Sequence, residues 1–474
     1  MLDIARIRQD PEWVKQQIRN LNDEPAAARV DTILELDERR RELIQQRDDL
    51  QASRNKLNKN FGRLRGGKGL EEAVIIGRAA AATAAIEIGD YDRADVVVTG
   101  QADAELPTAE VTKDDALNAL MDALRDMGNR HGELDEEVKQ IDAELEENML
   151  WLPNLPHESV KVGMSDEENI IWQPEGEMPE FDFVPLPHWE LGPQLGILDF
   201  EAGVKLAGSR FYVLKGWGPR LQRALISFYL DMAREKGFTE LYVPYMVKEE
   251  MLYGSAQFPK FRDVVYYDQD ADMYMLPTAE VAITNLHRDE ILNEADLPLY
   301  YVAHTPCFRR EKAAAGRDTR GIKRGHQFEK VEMYKFTTPE KSYEELESLT
   351  EAAMDVARKL GLPCRRIEQV TGDLGFSASK KYDVEVWAAG CEEWLEVSSC
   401  SNTEDFQARR AKIRYYPEGE KKAQFVHTLN GSGLAVPRVL IAVMENNQQA
   451  DGSFIVPEAL RPYLGGVERI GPEA

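Results

Sequence analysis

Hydrophobic positions follow two regimes along this 474-residue chain. In the first, Leu36, Leu43, Leu50, Leu57 and Leu64 recur at seven-residue intervals through a polar background. A second seam runs through Leu117, Leu120, Leu124, Met127, His131, Leu134, Val138, Ile141 and Leu145, in alternating steps of three and four. Both are heptad patterns, and the punctuation at Gly66, Gly67 and Gly69 between them predicts an antiparallel helical hairpin. Residues 70 to 113 break the pattern. They hold an Ala-rich helical piece (GRAAAATAAIEIG) and a polar segment around Val96, Val97 and Val98, read as an elaborated tip or side insertion. Pro153 and Pro156 in LWLPNLPHESV end the helical region, because proline cannot continue a helix.

The second regime begins near residue 197, where helix-period and strand-period segments alternate. Residues 219–236 predict an amphipathic helix closed by Gly237. LYVPYMV reads as a strand interrupted by Pro244, VEVW and WLEVSS as strands. Thr338-Pro339-Glu340 opens a helix running to Gly361, and a last helix starts near Ala435. No regular strand–helix–strand beat appears. The expected fold is α+β: a coiled-coil arm over 1–150 and a body over 151–474 with a mainly antiparallel sheet flanked by helices.

The formal net charge of −26 opposes non-specific nucleic-acid binding over the whole surface, so such a partner needs a local basic stripe. The first limb of the hairpin offers one, with Arg39, Arg40, Arg41, Arg47, Arg54, Lys56, Lys59, Arg63, Arg65 and Lys68. The return limb is acidic (GELDEEVKQIDAELEEN), so the competing reading is neutralisation across the hairpin. The four cysteines lack zinc-ribbon spacing and no HExxH pair exists, so free thiols and no structural metal are expected. No apolar run is long enough to span a bilayer, and MLDIARIRQDPEW lacks a signal-peptide core; a cytoplasmic protein is expected.

Candidate chemistry concentrates between Cys307 and Phe336. Two strand-like runs there flank a loop holding Arg309, Arg310, Lys312, Arg317, Arg320, Lys323 and Arg324, with Glu311, Phe328 and Glu332 at its edges. Guanidinium forks suit phosphate, an aromatic face suits a purine and a carboxylate suits an amine. A solvated surface turn is the bland alternative. Three further clusters join it. Thr278 and Glu280 share a side if extended and could hold an ammonium, although a turn or N-cap fits equally. In WLEVSS, alternation puts Glu396 with Ser398 and Val397 with Ser399, and Glu396 with a serine suits magnesium on a nucleotide. A Gly-flanked polar turn with Asn430 and Ser432 precedes a helix with Arg438 in its opening turns, unless the turn is mere punctuation.

Taken with MLDIARIR, LPNLPHESV, PHWELG, AGSRFYVLKG, TAE, FRRE, RDTRGIKRGHQFEKVE, EVSSCSN and LNGSGLAVPR, these residues resemble the bacterial seryl-tRNA synthetases, a class II family. The resemblance covers nearly the whole chain. It implies a six- or seven-stranded antiparallel catalytic sheet, a coiled-coil arm and a homodimer, with Pro244 in the interface motif. Arg309 and Arg438 are implied as catalytic residues on the α- and γ-phosphates of ATP. Arg310, Glu311, Phe328, Glu396, Val397, Ser398 and Ser399 complete the implied ATP site, with Glu396 and Ser399 on magnesium. Thr278, Ala279, Glu280, Glu332, Asn430 and Ser432 correspond to the serine shell, and Arg40, Arg47, Arg54 and Lys56 to the surface for tRNA-Ser. Two departures stand out: Lys312-Ala313-Ala314-Ala315 after Glu311, and the insertion of residues 70 to 113.

The activity implied is ATP-dependent serine–tRNA ligation through seryl-adenylate. A ligase loading a carrier protein would share the chemistry but lack the arm. A non-catalytic RNA-binding coiled-coil protein would have no need of the charged residues at 309, 311, 332, 396 and 438.

Overall fold

The computed structural model describes residues 1–108, 110–312 and 320–472. It divides into two compact units, Arg29–Met149 and a larger one of Met1–Ala28 with Leu150–Ala474. The first 28 residues, expected with the arm, thus group with the body. They form short helices Ile4–Gln9 and Pro11–Asn20, the second with proline at its first position and Asp10 accepting the Trp13 amide. Asp3 then pairs with Arg409 at 2.9 Å.

The smaller unit is helical. Helix α1 (Glu24–Gly66) carries the first heptad seam, and at 1.5 Å per residue it is about 65 Å long. Helices α2 (Glu72–Glu87) and α3 (Tyr91–Thr99) form the insertion, and α4 (Lys113–Leu150) carries the second seam. Leu43, Leu50, Leu57 and Leu64 are buried in one core with Leu117, Leu120, Leu124, Met127, Leu134, Val138 and Ile141. Ile75, Ala79, Ala82, Ala85, Ile86, Ala94 and Val98 belong to the same core, so the insertion is an integral part of this unit. The Val96–Val98 stretch, read as a polar segment, is helical. Asp90 caps it by accepting the Arg93 amide, and Gly100 at φ 78° ends it.

The larger unit is built on an eight-stranded sheet. Its strands are β1 (Ile170–Ile171), β2 (Thr239–Leu241), β3 (Leu299–Phe308), β4 (Gln327–Thr337), β5 (Cys364–Glu368), β6 (Lys380–Ala388), β7 (Glu393–Asn402) and β8 (His427–Ala435). Their order is β1-β5-β6-β7-β8-β4-β3-β2, and every pairing is antiparallel except β2 with β3. Helices α5 (Trp217–Glu235), α7 (Ser342–Lys359) and α8 (Val436–Asn446) share a core with Val331 and Met333 of β4. Tyr334 and Phe336 belong to a second core, with Val281 and Ile283 of the short helix α6 (Glu280–Thr284). Alternation along β4 therefore leaves Lys330 and Glu332 in line with the Tyr334–Phe336 face.

Two sequence expectations change here. Asn430 and Ser432 do not sit in a turn but inside β8, paired with Tyr334 and Glu332 across to β4. The flanking glycines serve packing: a Cβ at Gly431 would lie 3.0 Å from Cys400 Sγ. The helix predicted from Thr338 opens as a 3₁₀ turn at Pro339–Lys341 before α7 begins. Pro244 lies between β2 and a short strand, Met246–Val247, as the interrupted pattern suggested. The four cysteines are free thiols. No helix among the described residues is long and apolar enough to cross a membrane.

Candidate active site

One cavity of about 480 Å³ opens over the middle of this sheet. Its wall takes Thr278 and Glu280 from the start of α6, Arg309 and Glu311 from the end of β3, and Phe328 and Lys330 from β4. Glu396 to Ser399 of β7, Asn430 and Ser432 of β8, and Arg438 of α8 complete it. Residues separated by up to 160 positions converge because β4, β8 and β7 are neighbours at the sheet's centre. Among the expected serine and ATP residues, three lie outside the wall. Ala279 is fully buried beneath it. Arg310 turns away, its guanidinium 5.2 Å from the Tyr266 ring and its amide on the Val264 carbonyl. Glu332 is completely buried, one layer behind Thr278 and Asn430. Arg317 and the Ala313–Ala315 departure fall outside the described residues.

One end of the cavity is an acidic, buried nest. Thr278 precedes the helix and its Oγ1 accepts the Glu280 amide at 3.2 Å. Lys330 sits between the two groups, donating to Thr278 Oγ1 at 2.8 Å and in close contact with the Glu332 carboxylate. Asn430 donates to the other Glu332 oxygen at 3.4 Å, and Gln407 donates to Glu280 at 2.7 Å. Burial, then the Glu332 charge, raises the Glu280 carboxyl to about 7, against the pull of Lys330, Gln407 and Arg309. Two carboxylates with one resident ammonium leave this end with spare acceptor capacity, as an incoming ammonium requires.

The other end is built to meet negative charge. Among the described residues Arg309 engages only its Nε in hydrogen bonding, on the Pro277 carbonyl at 3.1 Å, and its guanidinium lies 5.1 Å from the Phe328 ring. Glu311 follows at φ 47°, an unusual backbone for a residue with a side chain, held where Arg210 donates to its carbonyl at 3.1 Å. Arg438 donates to the Glu396 carbonyl at 2.6 Å and lies 3.9 Å from its carboxylate.

Simple alternation along β7 is broken by a bulge. Ser398 pairs with Val384 and Glu396 with Glu385, so Val397 is the extra residue. Glu396 and Ser399 therefore meet, Oγ to Oε1 at 3.2 Å, while Ser398 points to the Ser432 carbonyl at 2.7 Å. Ser399 also donates to Asp383 at 2.5 Å, and Lys381 lies 3.4 Å from the same carboxylate. Burial raises Asp383 to about 6, with Lys381 opposing and Glu396 adding to the rise. Partial withdrawal from solvent also acts on Glu396, but Arg438 and Lys381 outweigh it and hold that carboxyl below its usual range. An ionised carboxylate beside a hydroxyl is a hard-oxygen pair of the kind that suits a divalent cation carried by phosphate.

Three of the four cations expected on the first limb's tRNA surface, Arg40, Arg47 and Lys56, form ion pairs. Arg40 pairs closely with Asp142, and Arg47 reaches Asp48 at 2.9 Å and Asp135 at 3.2 Å. Lys56 meets Asp95 of the insertion at 2.7 Å, and Arg54 packs where a side chain on Gly128 would otherwise lie. Arg40, Arg47 and Lys56 thus each meet a carboxylate of the same unit, whereas Arg54 Nε is buried without a hydrogen-bond partner among the described residues.

Sequence reasoning missed Lys330, Lys381 and Asp383. Lys330 carries a signal in retrospect, lying two residues before Glu332 on the same strand face. Lys381 and Asp383 had none, since only the pairing of Asp383 with Ser399 brings them to the cavity.

Comparison with known proteins identifies two domains in the chain. The seryl-tRNA synthetase N-terminal domain matches residues 1–94, and the class II tRNA synthetase core domain (G, H, P, S and T) matches residues 261–447. The serine–tRNA ligase of Roseiflexus sp. (strain RS-1) is 49% identical over 470 residues, covering 99% of each chain. That of Chloroflexus aurantiacus (strain J-10-fl) is 47% identical over the full length of both chains. Among solved structures, seryl-tRNA synthetase from Pyrococcus horikoshii complexed with ATP superposes with a TM-score of 0.84 at 35% identity, covering 100% of both chains. With its two domains, its antiparallel sheet and its relatives all in accord, the chain belongs to the seryl-tRNA synthetase family.

Proposed function

We propose that the cavity activates L-serine with ATP and passes the seryl group to the 3′ end of tRNA-Ser, making the protein a serine–tRNA ligase. The carrying observation is the convergence, in one cavity, of an amine-accepting nest with a cationic and aromatic end. The serine ammonium is read onto Glu280, Glu332 and Thr278, with Asn430 and Ser432 alongside and Ala279 as backing. Arg309 takes the ATP α-phosphate, Phe328 and Glu311 the adenine, with Arg310 behind them, and Arg438 the γ-phosphate. Magnesium arriving with ATP fits Glu396 and Ser399, steadied by Asp383, and would supply positive charge to the phosphates. Val397 and Ser398 shape that wall.

The serine carboxylate attacks the α-phosphorus in line. Its P–O bond forms as the bond to pyrophosphate breaks, leaving seryl-adenylate. A terminal ribose hydroxyl of tRNA then attacks the seryl carbonyl and AMP leaves. No side-chain nucleophile is needed; Arg309 and Arg438 act by positioning the phosphates and meeting charge as it develops. The first limb of the arm, with Arg40, Arg47, Arg54 and Lys56, is the proposed tRNA surface. A cytoplasmic homodimer is the assembly the family implies. Labelled serine supplied with ATP should become acid-precipitable on tRNA and not on an acyl-carrier protein; the reverse pattern would favour the carrier-loading alternative.

A further inference from the structure

A buried cluster outside the cavity wall joins the family's functional elements in a way the proposed chemistry does not use. His188, Cys391 and Glu445 bring their ring nitrogen, sulfur and carboxylate within 4.8 Å of one another. His188 and Glu445 are both completely buried. The Ile322 amide, an obligate donor, points at His188 Nε2 at 3.2 Å. Nε2 is therefore an acceptor, and the ring proton lies on Nδ1, which donates to Glu445 Oε1 at 2.8 Å. Glu445 also accepts the His188 amide at 2.7 Å, the Cys391 amide at 2.9 Å and the Cys391 thiol at 3.1 Å. With Nδ1 protonated and Nε2 occupied, the ring has no lone pair for a cation, so the cluster is not a metal centre. Burial also lowers the His188 pKa, which keeps the ring neutral.

The bond to Ile322 lands on the returning limb of the basic loop. Ile322, Lys323, Arg324 and Gly325 all line the cavity. Gly321, at φ 75°, lies so close that a Cβ there would be 1.8 Å from His188 Nε2, so glycine is required by both backbone and space. The neighbouring Trp189 ring lies 5.3 Å from the Arg320 guanidinium and 5.5 Å from Lys323 Nζ. Arg438 Nε donates to the Lys323 carbonyl at 3.3 Å. Arg438 and Glu445 stand seven residues apart on α8, two turns on one side of the helix. One helix thus grips this limb twice, directly through Arg438 and indirectly through Glu445 and His188.

We infer that His188 is a positioning residue: oriented by Glu445, it holds the Ile322 amide and so seats the returning limb of the basic loop against the phosphate end of the cavity. This rests on the reading of that end as the ATP site. The inference separates two amide replacements. Glutamine places an acceptor near the ring Nε2 position, whereas asparagine stops near Nδ1 and keeps only a donor toward Glu445.

In serine-dependent ATP–pyrophosphate exchange, His188→Asn should raise the KM for ATP about five- to tenfold, the scale of one lost hydrogen bond. The KM for serine should stay within about twofold, and His188→Gln should return the ATP KM close to wild type. Equal behaviour of the two variants, or a serine KM rising in parallel, would overturn the inference. In the unmodified enzyme, selective ¹⁵N-histidine spectra should show His188 protonated at Nδ1 and bare at Nε2, and a proton on Nε2 would overturn it irrespective of how the variants fold. Absence of exchange in the wild type would instead remove the ATP reading itself, whereas normal wild-type exchange with an unmoved ATP KM in His188→Asn would remove only the role of His188.

Discussion

The arm and the cavity use the same side chains to opposite ends. In the arm, Arg40, Arg47 and Lys56 each answer a carboxylate within the same helical unit. The Arg40 and Arg47 pairs are partly exposed and contribute little each, so the unit depends on its leucine seam. In the cavity, Arg309 commits one nitrogen to a carbonyl and finds no other hydrogen-bond partner among the described residues. Two buried carboxylates, Glu280 and Glu332, meanwhile share Lys330. Partnered charge marks structure here, and charge held in place but short of partners marks the place for a substrate.

This contrast is sharpest at Arg309. Arg309→Ala should lower serine-dependent exchange by about 10²–10³-fold, the scale of losing a main electrostatic stabiliser, with the melting temperature unchanged. A loss under tenfold would show that this fork is not committed to the reaction. The opposite behaviour is expected in the arm. Leu57, buried in the seam, should cost about 2–4 kcal/mol when replaced by alanine, read by urea unfolding of the arm, with exchange retained.

Glu280 tests the under-partnered state itself. Its carboxyl is raised to about 7 in the folded protein by burial and by Glu332, against an ordinary value of 4.5. Between those two values the folded state holds a proton that the unfolded chain has released. Stability therefore falls as pH rises through this window, by up to about 3 kcal/mol, and the full penalty is present above pH 7. Glu280→Gln should raise the melting temperature at pH 8 and barely change it at pH 4. An equal effect at both pH values would mean that the carboxyl titrates normally. The smallest effect belongs to the arm's surface. Arg40 and Arg47 already face Asp142 and Asp135, so neutralising Arg40, Arg47 and Arg54 together should flatten the log-log salt dependence of tRNA binding by about one unit, not three. An unchanged slope would place the RNA elsewhere.

Period and local chemistry carried much of this to the reader of the bare sequence. The leucine seams named the hairpin because burial repeats at the helix period, and Arg309, Phe328, Glu396 and Arg438 stood out as types suited to a nucleotide. Long-range pairing was beyond that reach. The bulge at Val397, which turns Ser399 toward Glu396, depends on register with β6. Asp383 reaches the site only through that same register, and β8 hid behind its glycines, which look like a turn until Cys400 and Leu349 are seen against Gly431. Helix α3 was missed because its valines disfavour a helix locally, while Ala94 and Val98 gain burial in the arm core. His188 sat in a recognisable string, PHWELG, with nothing to say that Ile322 would lie on it.

On the proposed function, the two ends of one cavity together select serine and activate it. ATP–pyrophosphate exchange measured with each of the twenty amino acids in turn tests this most directly. The account predicts exchange with serine, roughly 10⁴-fold above alanine because a site bonding a hydroxyl rejects the analogue without it. Exchange driven best by another amino acid, or by none, would contradict it.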